Sequence, residues 1–505
     1  MKKFLMVLCS VLTLGLVLAG CSTVGMIENT SNELIYNGNA GVNVSNYLYF
    51  GNAFNKVESL TDLSSLNDVK SSSFLARINL EDIDAKGQNF TPNDVEKVIA
   101  SEAIGQENQF MFAIGDYIYY LKPDVHVYYT GDDSSYQFGY SVLCSVRLDG
   151  DKNREIYTYQ GAVSNIEVLK YGDRYYVVAY AGSNLFVTRL SNGTGTTHTL
   201  GENVTSVAIP ETTLTATSGN SSERNGRIYF TSTDDDSNTI VSQVKVDATS
   251  ASDAETVGNK NGVVNFVYRQ NDLIFYTHDS TGATYVNNVK NLTPELADDE
   301  QKSGAYKNNI ILIDNSHLLS RPTVSNIHVL RYGNSDYQTI IYTANSTLNY
   351  KNNFNGGGSG TFTITSGTTD LSSATVIAIS GNLVYLSTSS GIYEADISKV
   401  TRSNGEVSVS AREIVSRVSE DINTTLTSYD GEYIYFYAGL EALTEDEQEL
   451  INAEKEEAGI EISEEEEDIT SLDDGVYLYR VSIDYGEIQL LGITEYEERH
   501  SSYRY

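Results

Sequence analysis

The chain has 505 residues and a formal net charge of −35, from 33 Lys+Arg against 68 Asp+Glu. Its apolar fraction, 40%, is enough to build a core, which excludes disorder throughout. The charge argues against a nucleic-acid binder, because counterion release needs a basic surface, and three cysteines are too few for a disulfide framework.

The N-terminus opens with the basic pair Lys2-Lys3 and continues as an apolar run from Phe4 to Ala19 that closes in small residues. This is the layout of a secretory signal, and the run is shorter than the ~20 residues of a membrane-spanning helix. Its end, Leu18-Ala-Gly-Cys21, resembles a bacterial lipobox. The resemblance implies that residues 1–20 are removed and that Cys21 carries lipid, placing the chain on the extracytoplasmic face of a membrane. Losing Lys2 and Lys3 takes the net charge to −37. Residues 21–31 read as a tether. Cys144, in Ser141-Val-Leu-Cys-Ser-Val-Arg-Leu148, reads as a buried inert thiol.

The body of the chain repeats itself. Val163-Ser-Asn-Ile-Glu-Val-Leu-Lys-Tyr-Gly172 matches Val324-Ser-Asn-Ile-His-Val-Leu-Arg-Tyr-Gly333 at eight of ten positions, 161 residues on. A looser motif, a turn pair followed by alternating apolar and aromatic residues, begins at Ser45, Gly115, Gly172, Asn225, Asn271, Gly333, Gly381 and Gly431. These eight copies are spaced about 55 residues apart on average, so three periods come close to the 161-residue match.

Each copy suits a hairpin, with Gly, Asn and Asp tolerating tight turns and Tyr, Phe, Ile and Val packing on a pleated sheet. Alternating segments precede most copies (Phe110-Met-Phe-Ala-Ile114) and follow them, the first ending in a basic residue (Phe74-Leu-Ala-Arg-Ile78, Val476-Tyr-Leu-Tyr-Arg-Val481), the second as in Arg412-Glu-Ile-Val415. Four short antiparallel strands per period predict an all-β fold, a β-propeller of about eight blades over residues 32–493, with seven as the alternative and 494–505 as a tail. A solenoid or a pair of β-sandwiches is the competing architecture. The tyrosine-rich strands with their Gly-Asp and Asn-Gly turns resemble the propeller repeats of uncharacterised bacterial surface lipoproteins. The sequence has no Trp, as tryptophan-aspartate repeats would require, and lacks the recurring double-glycine pattern of kelch repeats.

Three stretches break the pattern. Asn352-Asn-Phe-Asn-Gly-Gly-Gly-Ser-Gly360 reads as a flexible loop without the Lys-Ser/Thr of a phosphate loop. Residues 292–308 read as a polar insertion. Residues 440–474 read as an acidic insertion in the last blade, where positions 441–474 hold 16 acids and one Lys. Thr444 and Glu447 form a capping box there, predicting a surface helix.

No metal, cofactor or catalytic residue set is expected. The six histidines show no metal-ligand spacing, and no Gly-x-Ser-x-Gly elbow occurs. Asp149-Gly-Asp-Lys-Asn-Arg-Glu155 has Arg154 where a calcium loop needs glycine, so it reads as a hairpin turn. Thr277-His-Asp-Ser-Thr-Gly-Ala-Thr-Tyr285 approximates an Asp-box with its spacing one residue off. The expectation is a lipid-anchored binding or scaffold module that offers a tyrosine-rich, acidic surface to a protein or glycan partner. A propeller-type polysaccharide hydrolase or lyase is the alternative.

Overall fold

A computed structural model describes residues 33–38, 40–52, 54–55, 74–86, 95–99, 110–130, 133–210, 226–234, 236–257, 262–270, 273–278, 282–288, 310–311, 324–331, 338–352, 359–388, 391–399, 401–403, 406–416, 422–439, 475–484 and 488–492. Within them the chain folds as a ring of eight blades, a β-propeller, as the period predicts. Blade 3 is the most regular, with Val163–Tyr171, Arg174–Ala181, Asn184–Ser191 and Thr194–Gly201 pairing in chain order. The first strands of the others are Val42–Val44, Met111–Ile114, Val204–Ala208, Val263–Gln270, Val324–Arg331, Thr375–Ser380 and Asn423–Tyr429. The Val163 and Val324 segments therefore occupy the same strand, three blades apart. Neighbouring first strands lie beside one another around the centre of the ring.

The second strands explain why a ring forms. In blade 3, Val177 and Ala179 enter a core shared with Phe112 and Tyr119 of blade 2. The alternate residues Tyr176 and Val178 enter a core shared with Ile228 and Phe230 of blade 4. Side chains alternate across a strand, so a segment apolar at every position needs a cover on both faces. A neighbouring blade on each side supplies it.

The described first-to-second-strand turns lie on one face of the ring, here the turn face. Gly115, Gly172, Gly381 and Gly431 take positive φ there, the conformation that glycine adopts without strain. Second-to-third-strand connections lie on the opposite, loop face. In blade 2 the second and third strands, Tyr117–Thr130 and Asp133–Arg147, run on as a long ribbon beyond Lys122 on this face. The acidic insertion 440–474 lies outside the described residues, so its predicted helix has no structural account. Its two ends are paired, Gly439 opposite Val476, and leave the ring on the loop face. Residues 292–308 and 353–358 also lie outside the described residues. Ser359 and Gly360, read from sequence as loop, open the strand Ser359–Ser366 and pair with Lys351 and Tyr350. A helix that the sequence reading did not anticipate, α1 (Leu80–Lys86), follows the third strand of blade 1 and buries Ile83.

The ring closes between blade 8 and blade 1 through cores and polar contacts. Ser428 Oγ accepts from Ala40 N and Gly41 N, both at 3.0 Å, and Tyr437 Oη donates to Gly51 O at 2.7 Å. Phe54–Asn55, from blade 1's loop-face connection, adds to the blade 8 strand Gly475–Ser482. Blades 6 and 7 join differently. Their outer strands, Ser359–Ser366 and Glu406–Ser416, pair in parallel, with Phe362 to Thr365 opposite Val407 to Ser410, merging two blades into one sheet.

Candidate functional site

The motif tyrosines are the first candidates for recognition, and the structure places them between blades. Tyr49, Tyr119, Tyr176, Tyr229, Tyr385 and Tyr435 are buried at equivalent positions of their second strands. Tyr49 Oη donates to Leu148 O of blade 2 at 2.8 Å. Tyr119 Oη accepts from Gly193 N of blade 3 at 2.9 Å, and its ring stacks on Phe112 with centroids 5.0 Å apart. Tyr385 packs on Tyr429 of blade 8 at 5.0 Å. A phenol suits this position because its ring fills the inter-blade core, and at Tyr49 and Tyr119 its tip also reaches a backbone group of the next blade. Gly193 permits the approach: its φ is +73°, and a Cβ there would sit 2.2 Å from the Tyr117 ring.

Two of the buried arginines, Arg77 and Arg269, also reach across blade junctions. Arg77 pairs with Glu96 at 2.6 Å, donates to Leu148 O at 3.2 Å and lies over the Tyr47 ring. Arg480 lies over the Tyr433 ring at 4.2 Å. Arg269 donates to Arg227 O and faces Tyr229. Arg77, on a third strand, and Arg269, on a first strand, thus reach across to a neighbouring blade, while Arg480 packs on a tyrosine of its own blade.

A second candidate emerges at the loop-face mouth of the ring. The first strands of blades 3 to 8 each carry a register shift near their start, between Val163 and Asn165, Val204 and Ser206, Val263 and Asn265, Ser325 and His328, Val376 and Ala378, and Asn423 and Thr427. A bulge re-aims the side chains beside it. On blades 3 to 6 the residues so placed are Ser164, Asn165, Thr205, Asn265, Ser325 and Asn326, and all six are exposed. Asn326 has φ +47°, a conformation that asparagine tolerates. The strands beneath are cross-linked: Ser206 Oγ of blade 4 accepts from Phe266 N of blade 5 at 2.8 Å, and Thr205 Oγ1 lies 2.7 Å from Thr231 Oγ1.

This rim offers hydroxyls and primary amides, which both donate and accept and carry no charge. Below it, burial holds the His328 imidazole down at about 4, so it is neutral at neutral pH. Burial, aided by the Glu167 carboxylate, raises the Tyr36 phenol above its ordinary range. Among the described residues no group of three His, Cys, Asp or Glu side chains could hold a metal ion. The segment 149–155 is a hairpin turn, in which Asp149 Oδ1 accepts from Asp151 N at 3.1 Å. The Asp-box-like segment likewise joins two paired strands, Leu273–His278 and Thr284–Asn288. Cys144 is buried with a reduced thiol. Cys21, the expected lipid site, lies outside the described residues.

The rim was legible in part. Val-Ser-Asn occurs in both copies of the long repeat, but alternation alone does not reveal a bulge, and the bulge is what gathers these side chains at the mouth.

No family model matches the chain, and no curated protein matches it. Solved structures with a similar course include an uncharacterised protein of Listeria monocytogenes, 9% identical, covering 74% of this chain and 91% of that one at a TM-score of 0.34. TolB from Acinetobacter baumannii is 10% identical, with 67% and 78% covered at 0.28. Hsv2 from Kluyveromyces lactis is 10% identical, with 61% and 94% covered at 0.31. Likenesses this distant carry no functional argument. The fold itself is compatible with a binding or scaffold module.

Proposed function

We propose that the chain is a lipid-anchored extracytoplasmic binding module that receives a glycan at the loop-face mouth of its ring. The observation that carries this reading is the rim of Ser164, Asn165, Thr205, Asn265, Ser325 and Asn326, exposed side by side on four successive blades. A glycan presents hydroxyls and amides at close spacing, and a rim of neutral donors and acceptors matches it without desolvating a charge. Strands hold the rim, so little ordering entropy is lost on binding. The membrane attachment is supported by the lipobox-like Leu18-Ala-Gly-Cys21 after its apolar run.

Two measurements test the reading. Purified envelope polysaccharide, titrated against wild type and Asn165→Ala/Asn326→Ala, should bind the variant at least tenfold more weakly at an unchanged melting temperature. Equal binding, or none to wild type, rejects the glycan site. Cys21→Ala should abolish detergent-phase partitioning, and a variant that partitions as wild type does rejects the lipid attachment.

A further inference from the structure

The described chain begins inside the ring, and the place where it begins has a consequence for the membrane. Leu34 and Ile35 pair with Ile114 and Ala113, on the inner edge of blade 2, antiparallel to its first strand. Ile114 is the last residue before the Gly115-Asp116 turn, so Leu34 and, before it, Glu33 lie at the turn-face end. The segment then crosses to blade 8. Gly38 bridges to Ser428, Asn37 O accepts from Tyr429 N at 3.0 Å, and Asn37 Oδ1 accepts from Asn43 N at 2.9 Å. Tyr36 packs against Phe110 with centroids 6.1 Å apart. Blades 2, 1 and 8 therefore grip the segment.

The distance from Cys21 to Glu33 is twelve residues. Fully extended, they span at most about 40 Å. A path from the inner edge of the turn face to the loop face must cross the four strand spacings of the blade 2 sheet, about 19 Å, clear the outer side chains and descend a nine-residue strand, about 27 Å. That is more than about 45 Å before any lipid lies under the loop face. We infer that the propeller is held with its turn face toward the bilayer and its loop-face mouth turned away, open to a partner from outside. This rests on the lipid attachment proposed above.

Charge agrees with the arrangement. The residues that flank the acidic insertion 440–474, Gly439 and Gly475, lie at the loop-face end of their strands, and net −15 over residues 441–474 is best kept far from anionic headgroups. The turn face carries acids as well, among them Asp116, Asp173 and Asp430, so it stands off on its tether.

The test uses the full acylated chain in vesicles of phosphatidylcholine with phosphatidylglycerol. Asp173→Cys and Glu202→Cys place single labels on blade 3, the first on the turn face and the second on the loop face, and both residues are exposed. Cys144 is buried and stays unlabelled in the folded chain. Energy transfer from each label to a headgroup acceptor should be at least twofold stronger from position 173. Equal transfer, or stronger transfer from 202, overturns the orientation while leaving the lipid attachment intact. A wild-type chain that floats free of the vesicles overturns the attachment and this orientation together.

Discussion

Two junctions of the ring show two ways of joining blades. Between blades 2 and 3, a stacked tyrosine reaches across: Tyr119 lies on Phe112 and its hydroxyl holds Gly193 N of the next blade. Between blades 6 and 7 the equivalent second-strand position is Thr339. Leu330 pairs with Thr339 as Leu169 pairs with Tyr176. Here the outer strands pair directly instead, Phe362 to Thr365 against Val407 to Ser410. The contrast teaches that the tyrosine repeat is mechanical. At this junction a backbone ladder between the outer strands joins the blades, and no surface property of tyrosine need be invoked for its recurrence.

The widest break of that contrast comes from alkali, which attacks every tyrosine junction at once. Burial pushes Tyr49 and Tyr119 up to about 12, and Tyr435 higher still. An unfolded tyrosine ionises near 10. Above pH 10 the unfolded chain gives up protons that the native chain retains, so stability is present below pH 10 and lost as pH rises toward 12. About 2–3 kcal/mol disappears for each of Tyr49 and Tyr119 by pH 12. Phenolate absorbance and circular dichroism should change together in one step. Ionisation near pH 10 with the sheet signal intact would remove the tyrosines from the mechanism.

Truncating a single junction comes next. Tyr119→Ala removes a fully packed ring and the acceptor for Gly193 N, and should cost about 3–5 kcal/mol. The melting temperature should fall accordingly, and exchange of amides in blades 2 and 3 should rise before that in blades 6 and 7. A uniform rise around the ring would show that the junctions are not separable.

The sequence announces the first of these joining modes and hides the second. Period, hairpin turns and the identity of Val163–Gly172 with Val324–Gly333 define the blades. The motif beginning at Gly333, however, places Tyr337 as a strand aromatic, whereas the second strand is Gln338–Ala344. Val163 pairs with Ala181 and Val324 with Ala344, so the repeat grows from 161 to 163 residues between first and second strands. Two extra residues between the paired strands put Thr339 at the position that Tyr176 holds in blade 3. The parallel pairing of residues 362–365 with 407–410 leaves no local pattern, because each strand alternates normally and its partner is remote. The ribbon beyond Lys122 and the bulges that build the rim are hidden for a related reason: strand length and bulges depend on pairing, which composition does not encode.

Acid probes the junction that has Thr339 in place of a second-strand tyrosine. His328 pairs in register with Ile341, whose side chain belongs to the core shared by blades 6 and 7. Burial holds the His328 imidazole at about 4, against 6.5 when free. As pH falls from 6.5 to 4, the unfolded chain takes up a proton that the native chain refuses, and stability falls by up to about 3 kcal/mol. His328→Gln should flatten this acid slope in melting temperature between pH 7 and 4.5 while leaving the alkaline limb unchanged. An unchanged acid slope would assign it to the carboxylates instead.

The smallest effect separates the hydroxyl from the ring. Tyr49→Phe and Tyr119→Phe each delete one oxygen and keep the packing. Tyr49 Oη donates to Leu148 O, a carbonyl that Arg77 also reaches at 3.2 Å, so the acceptor keeps a partner when the hydroxyl goes. The loss should be about 0.5–1 kcal/mol, that of one exchanged hydrogen bond. Tyr119 Oη is instead the acceptor for Gly193 N, in a buried contact at 2.9 Å. Ser145 Oγ donates to Gly193 O at 2.6 Å, which satisfies the carbonyl but offers nothing to the amide hydrogen. Phenylalanine at 119 leaves that donor buried and unmade, a penalty of about 1–3 kcal/mol. Denaturant titration of the two variants should therefore show Tyr119→Phe as the more damaging. Equal midpoints would mean that the hydroxyls are incidental and that the ring alone joins the blades.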